Sequence, residues 1–181
     1  MKRALSILAA VSLCTGVFIL PEWVESKEHV TGESQEIIGK KARKFTLEDV
    51  NGKNYSPKDF KGKVVVFDFW AVWCGPCQFS LRFFQSMADK YGSRGLEVVG
   101  LHVEDRRPPV EEIRDYLEAR KVNYTNLMST VEVDDAYQVY AMPTTYLIDR
   151  DGRIRKAHVG FNPVSDPGEI EKEILQLLER K

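Results

Sequence analysis

One stretch of the sequence decides the fold: Val64-Val65-Val66-Phe67-Asp68-Phe69-Trp70-Ala71-Val72-Trp73-Cys74-Gly75-Pro76-Cys77. Its first half is apolar and β-branched, which predicts a buried strand, and the residues after Cys77 have the spacing of a helix. Both cysteines should therefore lie where a strand leads into a helix. The N-terminus of a helix stabilises negative charge, which favours the thiolate of Cys74. We therefore expect Cys74 to attack a disulfide and Cys77 to resolve the product.

Two cysteines at this spacing could also form half of a zinc site. Tetrahedral zinc needs two more ligands at a suitable spacing. The rest of the chain offers only Cys14 and three scattered histidines, His29, His102 and His158. We therefore favour a redox-active pair over a metal site, and we interpret His102 and His158 as structural residues.

The rest of the pattern predicts one α/β domain, for which 181 residues with 43% hydrophobic side chains suffice. The segment Lys44–Tyr55 alternates around Asn51-Gly52, a strong signal for a hairpin with a two-residue turn. Helical spacing is found after Cys77, after Pro108-Pro109, over 133–140 and from Ile170 onward, and strand patterns over 96–103, 146–148 and 153–160. Strands that alternate with helices indicate parallel pairing in a layered domain.

The N-terminal segment has the features of an export signal. Lys2 and Arg3 precede an apolar run, so we assign residues 1–21 to a signal anchor or signal peptide, 22–43 to a polar tether and 44–181 to the domain. No A-x-A-like cleavage site closes the run, which favours an uncleaved anchor. The domain is then in the cell envelope, facing the periplasm or extracytoplasmic side. The alternative is a soluble periplasmic protein after signal cleavage.

The central stretch closely resembles the active site of thioredoxins, through Trp73-Cys74-Gly75-Pro76-Cys77 and an aspartate, Asp68, six residues before Cys74. Met142-Pro143-Thr144 resembles the segment of that family in which a cis-proline lies beside the cysteine pair. With the hairpin ahead of the central strand, the chain is similar to the TlpA/ResA-like disulfide reductases over about 44–181. The resemblance implies a thioredoxin fold, with a central mixed sheet flanked by helices and an N-terminal β-hairpin extension.

The resemblance also implies roles for individual residues. Asp68 interrupts an apolar strand, so burial should raise its pKa towards neutrality, and by resemblance it accepts the proton of Cys77. The alternative for Asp68 is a buried acid paired with a lysine or with backbone donors. Met142 and Pro143 would hold an extended substrate through the main chain of Met142. Trp73 would shield the nucleophile and offer an apolar surface to partners; ordinary packing is its alternative.

Two positions depart from the family pattern. Thioredoxins carry a lysine near the buried acid where this chain has Gly100, and some ResA-like reductases carry an acid three residues after the second cysteine, where this chain has Ser80. Neither change touches the sulfurs. We therefore expect both to alter the pH dependence of the reaction rather than its class.

The sequence predicts a thiol-disulfide oxidoreductase that acts mainly as a reductant of protein disulfides, with no metal or organic cofactor. A DsbD/CcdA-type membrane electron donor is the implied partner, and the resemblance implies apocytochrome c as a substrate. The net charge of −1 and the lack of a basic, aromatic-rich cluster argue against nucleic acid. The alternatives are a thiol oxidant or isomerase of the same fold, a peroxidase, and a redox-linked binding module such as a copper carrier.

Overall fold

The computed structural model describes residues 37–103 and 108–180. Its elements in chain order are β1 (Leu47–Glu48), β2 (Asn54–Tyr55), β3 (Val64–Trp70), α1 (Cys77–Tyr91), β4 (Leu96–His102), α2 (Val110–Ala119), β5 (Thr125–Met128), α3 (Val131–Ala136), β6 (Thr144–Ile148), β7 (Ile154–Val159) and α4 (Asp166–Glu179), with 3₁₀ turns at Pro57–Phe60 and Gly92–Arg94. The main sheet has the order β5-β4-β3-β6-β7. Strands β3, β4 and β5 run parallel, and β6 and β7 complete the sheet in antiparallel pairs, so the sheet is mixed as predicted.

Strand β3 lies at the centre of this sheet, and all seven of its residues are buried. Side chains alternate between the two faces of a strand. Val64 and Val66 join the core beneath α1 and α4, whereas Phe67 and Phe69 join the core beneath α3 and the β1–β2 hairpin. Asp68 is two residues after Val66 in β3, so its side chain points to the same face as those of Val64 and Val66. Its carboxyl group therefore lies on the α1 face, within an apolar layer.

The last residues of the predicted tether are packed on the domain. Ile37 is 1% exposed and belongs to the core under the hairpin. The Gly39 N–H donates to the Ile154 carbonyl at 2.7 Å, and the backbones of Lys41 and Arg153 form an isolated antiparallel β-bridge. The ordered domain thus includes residues from Ile37 onward. The predicted signal segment 1–21 and the tether up to residue 36 lie outside the described residues.

The hairpin forms, but its turn is longer than predicted. Pairing of Leu47 with Tyr55 and of Glu48 with Asn54 leaves 49–53 as the turn. The carboxylate Oδ1 of Asp49 accepts N–H bonds from Asn51 at 2.8 Å and Lys53 at 2.9 Å. An aspartate that binds the backbone in this way favours a wider turn than the two-residue type.

One other prediction on local structure needs correction, and one strand was missed. The helix expected over 133–140 is α3, which begins at Val131 after the N-cap Thr130. It ends at Ala136, and Gln138, with φ 55°, has a backbone conformation that a helix does not continue. Strand β5 was not predicted, because four residues that include Asn126 have too little pattern to detect. No helix within 37–103 or 108–180 combines the length and hydropathy needed to cross a membrane.

Candidate active site

The two cysteines lie in the connection between β3 and α1. Cys74 is in the turn after the strand, and Cys77 is the first residue of the helix, as predicted. The pair forms a disulfide, with 5.3 Å between the Cα atoms. The backbone N–H of Cys77 donates to Cys74 Sγ at 3.3 Å, so the helix N-terminus is aimed at this sulfur. Cys74 is 4% exposed and Cys77 is fully buried, so Cys74 is the more accessible of the two cysteines.

Asp68 has no exposed surface and is linked to Cys77 through the hydroxyl group of Ser80. The Ser80 hydroxyl donates to its Oδ2 at 3.0 Å, and the Thr145 hydroxyl donates to its Oδ1 at 2.9 Å. Burial raises the pKa of Asp68 to about 7, while the two hydroxyl bonds act in the opposite direction. The expected shift towards neutrality is therefore found. The partners are hydroxyl groups rather than a lysine or backbone donors.

Gly100 pairs with Asp68 in the register of β3 and β4. A Cβ atom on Gly100 would lie 2.1 Å from Asn126 Oδ1 and 2.9 Å from Trp70 Nε1. These two atoms form a hydrogen bond of 3.0 Å that crosses the space a side chain would need. A lysine is therefore excluded here by packing, and in the described part of the chain no cation contributes to the pKa of Asp68.

Ser80 and Thr145 are site residues whose contacts with Asp68 were not predicted. The sequence marked Ser80 only as the loss of an acid. Its hydroxyl lies between Asp68 Oδ2 and the Cys77 carbonyl, which is 3.1 Å from Ser80 Oγ. Thr145 lies two residues after Pro143 and pairs with Asp68 across β3 and β6. A signal for Ser80 does exist, since it follows Cys77 by three residues and so shares a helix face with it.

The other predicted site residues lie around the cysteine pair. The Met142–Pro143 peptide bond is cis, as the resemblance implies for this position. Met142 packs against the cluster that includes both cysteines, and Pro143 accepts the N–H of Gly160 at 2.7 Å. Trp73, next to Cys74, is 58% exposed. Their roles in binding stay predictions.

The two described histidines lie in packed surroundings. The ring of His102 meets the ring of Trp70 edge-on, with centroids 4.9 Å apart. His158 Nε2 lies 2.7 Å from Glu173 Oε2. These contacts fit the structural interpretation of both residues.

Comparison with known proteins gives the family. The family model described as "AhpC/TSA family" matches residues 38–157, about two thirds of the chain. The chain belongs to the AhpC/TSA family. A relative in this group is the thiol-disulfide oxidoreductase ResA of Bacillus subtilis (strain 168), which is 34% identical over 123 residues that cover 67% of each chain.

Solved structures place this AhpC/TSA-family chain among proteins of thioredoxin fold. A thiol:disulfide interchange protein described as a putative DsbE, from Chlorobium tepidum, aligns with a TM-score of 0.72 and 34% identity, covering 78% of this chain and 97% of that one. StoA from Bacillus subtilis aligns with a TM-score of 0.61 and 25% identity, covering 74% and 97%. The family member described here is thus a ResA-like thiol-disulfide oxidoreductase, and the predicted fold and enzyme class are confirmed.

Proposed function

We propose that this chain reduces disulfide bonds in proteins outside the cytoplasm, through the Cys74–Cys77 dithiol. The observation that carries the proposal is the pairing of a sulfur at a helix N-terminus with a buried acid whose pKa is close to neutral. The first favours a thiolate for attack, and the second provides a proton acceptor for the second step.

In the first step, the Cys74 thiolate attacks one sulfur of a substrate disulfide. A mixed disulfide forms between Cys74 and the substrate, and the other substrate sulfur leaves as a thiolate. The N–H of Cys77 stabilises the Cys74 thiolate in the reduced enzyme through the contact with Sγ. Attack therefore depends on the helix N-terminus rather than on Asp68.

In the second step, Cys77 attacks Cys74 of the mixed disulfide. Its Sγ–H must lose a proton, and we assign Asp68 as the acceptor. The sulfur of Cys77 then forms a bond with Cys74, and the second substrate sulfur leaves. Because the pKa of Asp68 is about 7, a substantial fraction of Asp68 is ionised and able to accept this proton at neutral pH.

The substrate segment is proposed to bind along Met142. No backbone hydrogen bond occupies Met142 in the described residues, so its main chain is available to an extended segment. Two aromatic side chains are exposed next to the predicted site residues in the sequence: Tyr140, two residues before Met142, is 62% exposed, and Trp73, directly before Cys74, is 58% exposed. Main-chain recognition with an apolar border suits many protein substrates rather than one.

The N-terminal segment is proposed to hold the domain at the membrane, on the extracytoplasmic side. Because no thiol pool restores a dithiol there, the proposal includes a membrane electron donor of the DsbD/CcdA type. Apocytochrome c, whose haem site is a C-x-x-C-H sequence, is proposed as one of these substrates. The N-terminal sequence supports the membrane anchor, and the family resemblance supports the electron donor and the substrate.

The test is a titration of the Cys74–Cys77 couple in the full chain against thiol redox buffers, with trapped thiols counted by mass. A midpoint near that of thioredoxin, about −270 mV, would support a reductant. A midpoint near that of DsbA, about −120 mV, would instead make the chain an oxidant of folding proteins. The Cys77→Ser variant is the control, because it cannot form the intramolecular bond and should accumulate mixed disulfide.

A further inference from the structure

Ser80 has one hydroxyl between two acceptors in the buried part of the site. Its Oγ is 3.0 Å from Asp68 Oδ2 and 3.1 Å from the Cys77 carbonyl oxygen, and its side chain has no exposed surface. A hydroxyl donates a single hydrogen, accepts through two lone pairs and rotates to suit its partners. Ser80 therefore donates to one of the two acceptors at a time. The Thr145 hydroxyl has a single acceptor, because it contacts only Asp68 Oδ1 among the described atoms.

We infer, resting on the proposed role of Asp68, that Ser80 is a positioning residue which directs the proton of Cys77 to Oδ2 of Asp68. While Asp68 is ionised, Ser80 donates to Oδ2. Once Oδ2 carries the proton, it donates to Ser80 Oγ, and the Ser80 hydrogen turns to the Cys77 carbonyl. Thr145 donates to Oδ1 in both states, so each of these buried oxygens keeps a partner throughout.

The proton transfer balances within the second step of the reaction. Cys77 Sγ gives up its proton and uses the freed electron pair to bond to Cys74 Sγ. The bond between Cys74 and the substrate sulfur breaks, and that sulfur leaves as a thiolate while the proton stays on Oδ2. The enzyme dithiol is oxidised and the substrate disulfide is reduced, so no further oxidant is needed.

The groups that face Asp68 come from several elements. Ser80 and Cys77 belong to α1 and Thr145 belongs to β6, while Gly100 on β4 contributes no side chain. Tyr124 lies just before β5. Burial raises the pKa of Tyr124, and the nearby charge of Asp68 raises it further. None of these groups is a cation. Removal of a hydroxyl donor should therefore raise the pKa of Asp68, because the ionised form loses its stronger hydrogen bond.

A kinetic experiment tests the effect of the hydroxyl. The rate of the second step is measured from pH 5.5 to 9 in the full chain and in Ser80→Ala, with a single-turnover mixed disulfide. We expect the midpoint to rise by about one pH unit, and the rate at pH 6.5 to fall by roughly 5- to 10-fold. Ser80→Thr keeps a hydroxyl group at this position, so the midpoint of its pH profile should match that of the wild type.

The chain offers a matched control for that variant. Ser86 lies on the exposed face of α1, and its hydroxyl contacts the Phe83 carbonyl at 2.6 Å, three residues earlier, as Ser80 contacts Cys77. Ser86→Ala removes the same kind of local bond without touching Asp68. An identical pH profile for Ser80→Ala and Ser86→Ala would overturn the inference.

An infrared experiment tests which oxygen carries the proton. In the oxidised protein, the C=O stretch of protonated Asp68 is recorded as the difference between pH 5 and pH 9 and assigned with Asp68→Asn. If Oδ2 holds the proton, the C=O oxygen is Oδ1, so Thr145→Val should raise the stretching frequency and Ser80→Ala should leave it nearly unchanged. The reverse pattern would overturn the inference. This spectrum needs no turnover, so a wild-type chain without reductase activity would refute the proposed function and still allow this test.

Discussion

Two buried aspartates of the same sheet show opposite behaviour. Asp68 lies in the middle of β3 and is bound by two hydroxyl groups, and burial raises its pKa to about 7. Asp149 lies just past the end of β6 and is 8% exposed. Burial also acts to raise the pKa of Asp149, but the Arg153 N–H and the Arg155 guanidinium outweigh it, and the net pKa is lowered.

The difference lies in the donors. The Oδ1 atom of Asp149 accepts backbone N–H bonds from Asp151 and Arg153, and Oδ2 accepts from Arg155 at 2.5 Å, so its charge is compensated. The partners of Asp68 are neutral hydroxyl groups, and no cation acts on its pKa among the residues that the structure describes. A deeply buried carboxyl group thus becomes a proton acceptor near neutral pH only where neither a cation nor backbone N–H groups stabilise its charge.

The largest expected effect is on stability. The folded state holds the Asp68 proton up to about pH 7, whereas the unfolded chain releases it near pH 4, so stability should fall as pH rises between these values. The full penalty is about 4 kcal/mol above pH 7. Asp68→Asn removes this penalty, because the asparagine side chain does not ionise. In urea unfolding of the oxidised protein, the advantage of Asp68→Asn over wild type should grow by about 2–3 kcal/mol between pH 5 and pH 8. An equal difference at both pH values would refute a raised pKa.

The next effect is on kinetics. Without its carboxylate, Asp68→Asn should resolve the mixed disulfide about 100-fold more slowly at pH 7, because Cys77 loses its proton acceptor. The first attack by Cys74 should keep nearly its wild-type rate. Stopped-flow measurement of the two steps, with a chromogenic disulfide, separates them. Slowing of both steps by the same factor, or of neither, would contradict the role of Asp68.

The smallest effect is expected at Asp149. Asp149→Asn loses the charged partner of Arg155 and should lower the free energy of unfolding at pH 7 by about 1–2 kcal/mol. Because the pKa of Asp149 is lowered in the fold, this deficit should be constant above about pH 5 and shrink below about pH 4. Both thiol steps should be unchanged per folded molecule. A slower second step in Asp149→Asn would break the contrast between the two acids.

The strongest local patterns in the sequence predicted most of this fold. The apolar run of β3, the helix that begins at Cys77 and the terminal helix α4 were all found, because each combines a long pattern with a clear boundary. Strand β5 was missed, since its place in the sheet depends on parallel pairing with β4 rather than on its own four residues. The hairpin turn was mispredicted because the Asp49 carboxylate, rather than Asn51-Gly52 alone, sets its width.

In the site, the properties of Asp68 were predicted, but its contacts with hydroxyl groups were not. The burial and pKa of Asp68 followed from one acid in an apolar strand. The spacing from Cys77 could have pointed to Ser80, but the contacts of Ser80 and Thr145 with Asp68 could not be predicted. These contacts cross from β3 to α1 and to β6, over 12 and 77 residues of sequence. Ser80 was accordingly interpreted only by the acid it lacks. The contact that makes it functional depends on tertiary packing.

The hydrogen bond between Trp70 and Asn126, which fills the space beside Gly100, also has an evolutionary consequence. Any larger residue at position 100 meets that bond first, so a single mutation cannot introduce a lysine beside Asp68 without disturbing the core. Asn126 would have to change beforehand or together with Gly100. The near-neutral acid is thereby protected by epistasis. A side chain at position 100 clashes with Asn126, and replacement of Asn126 alone leaves the buried Trp70 Nε1 without this acceptor, so a charge-compensated site requires two coordinated substitutions.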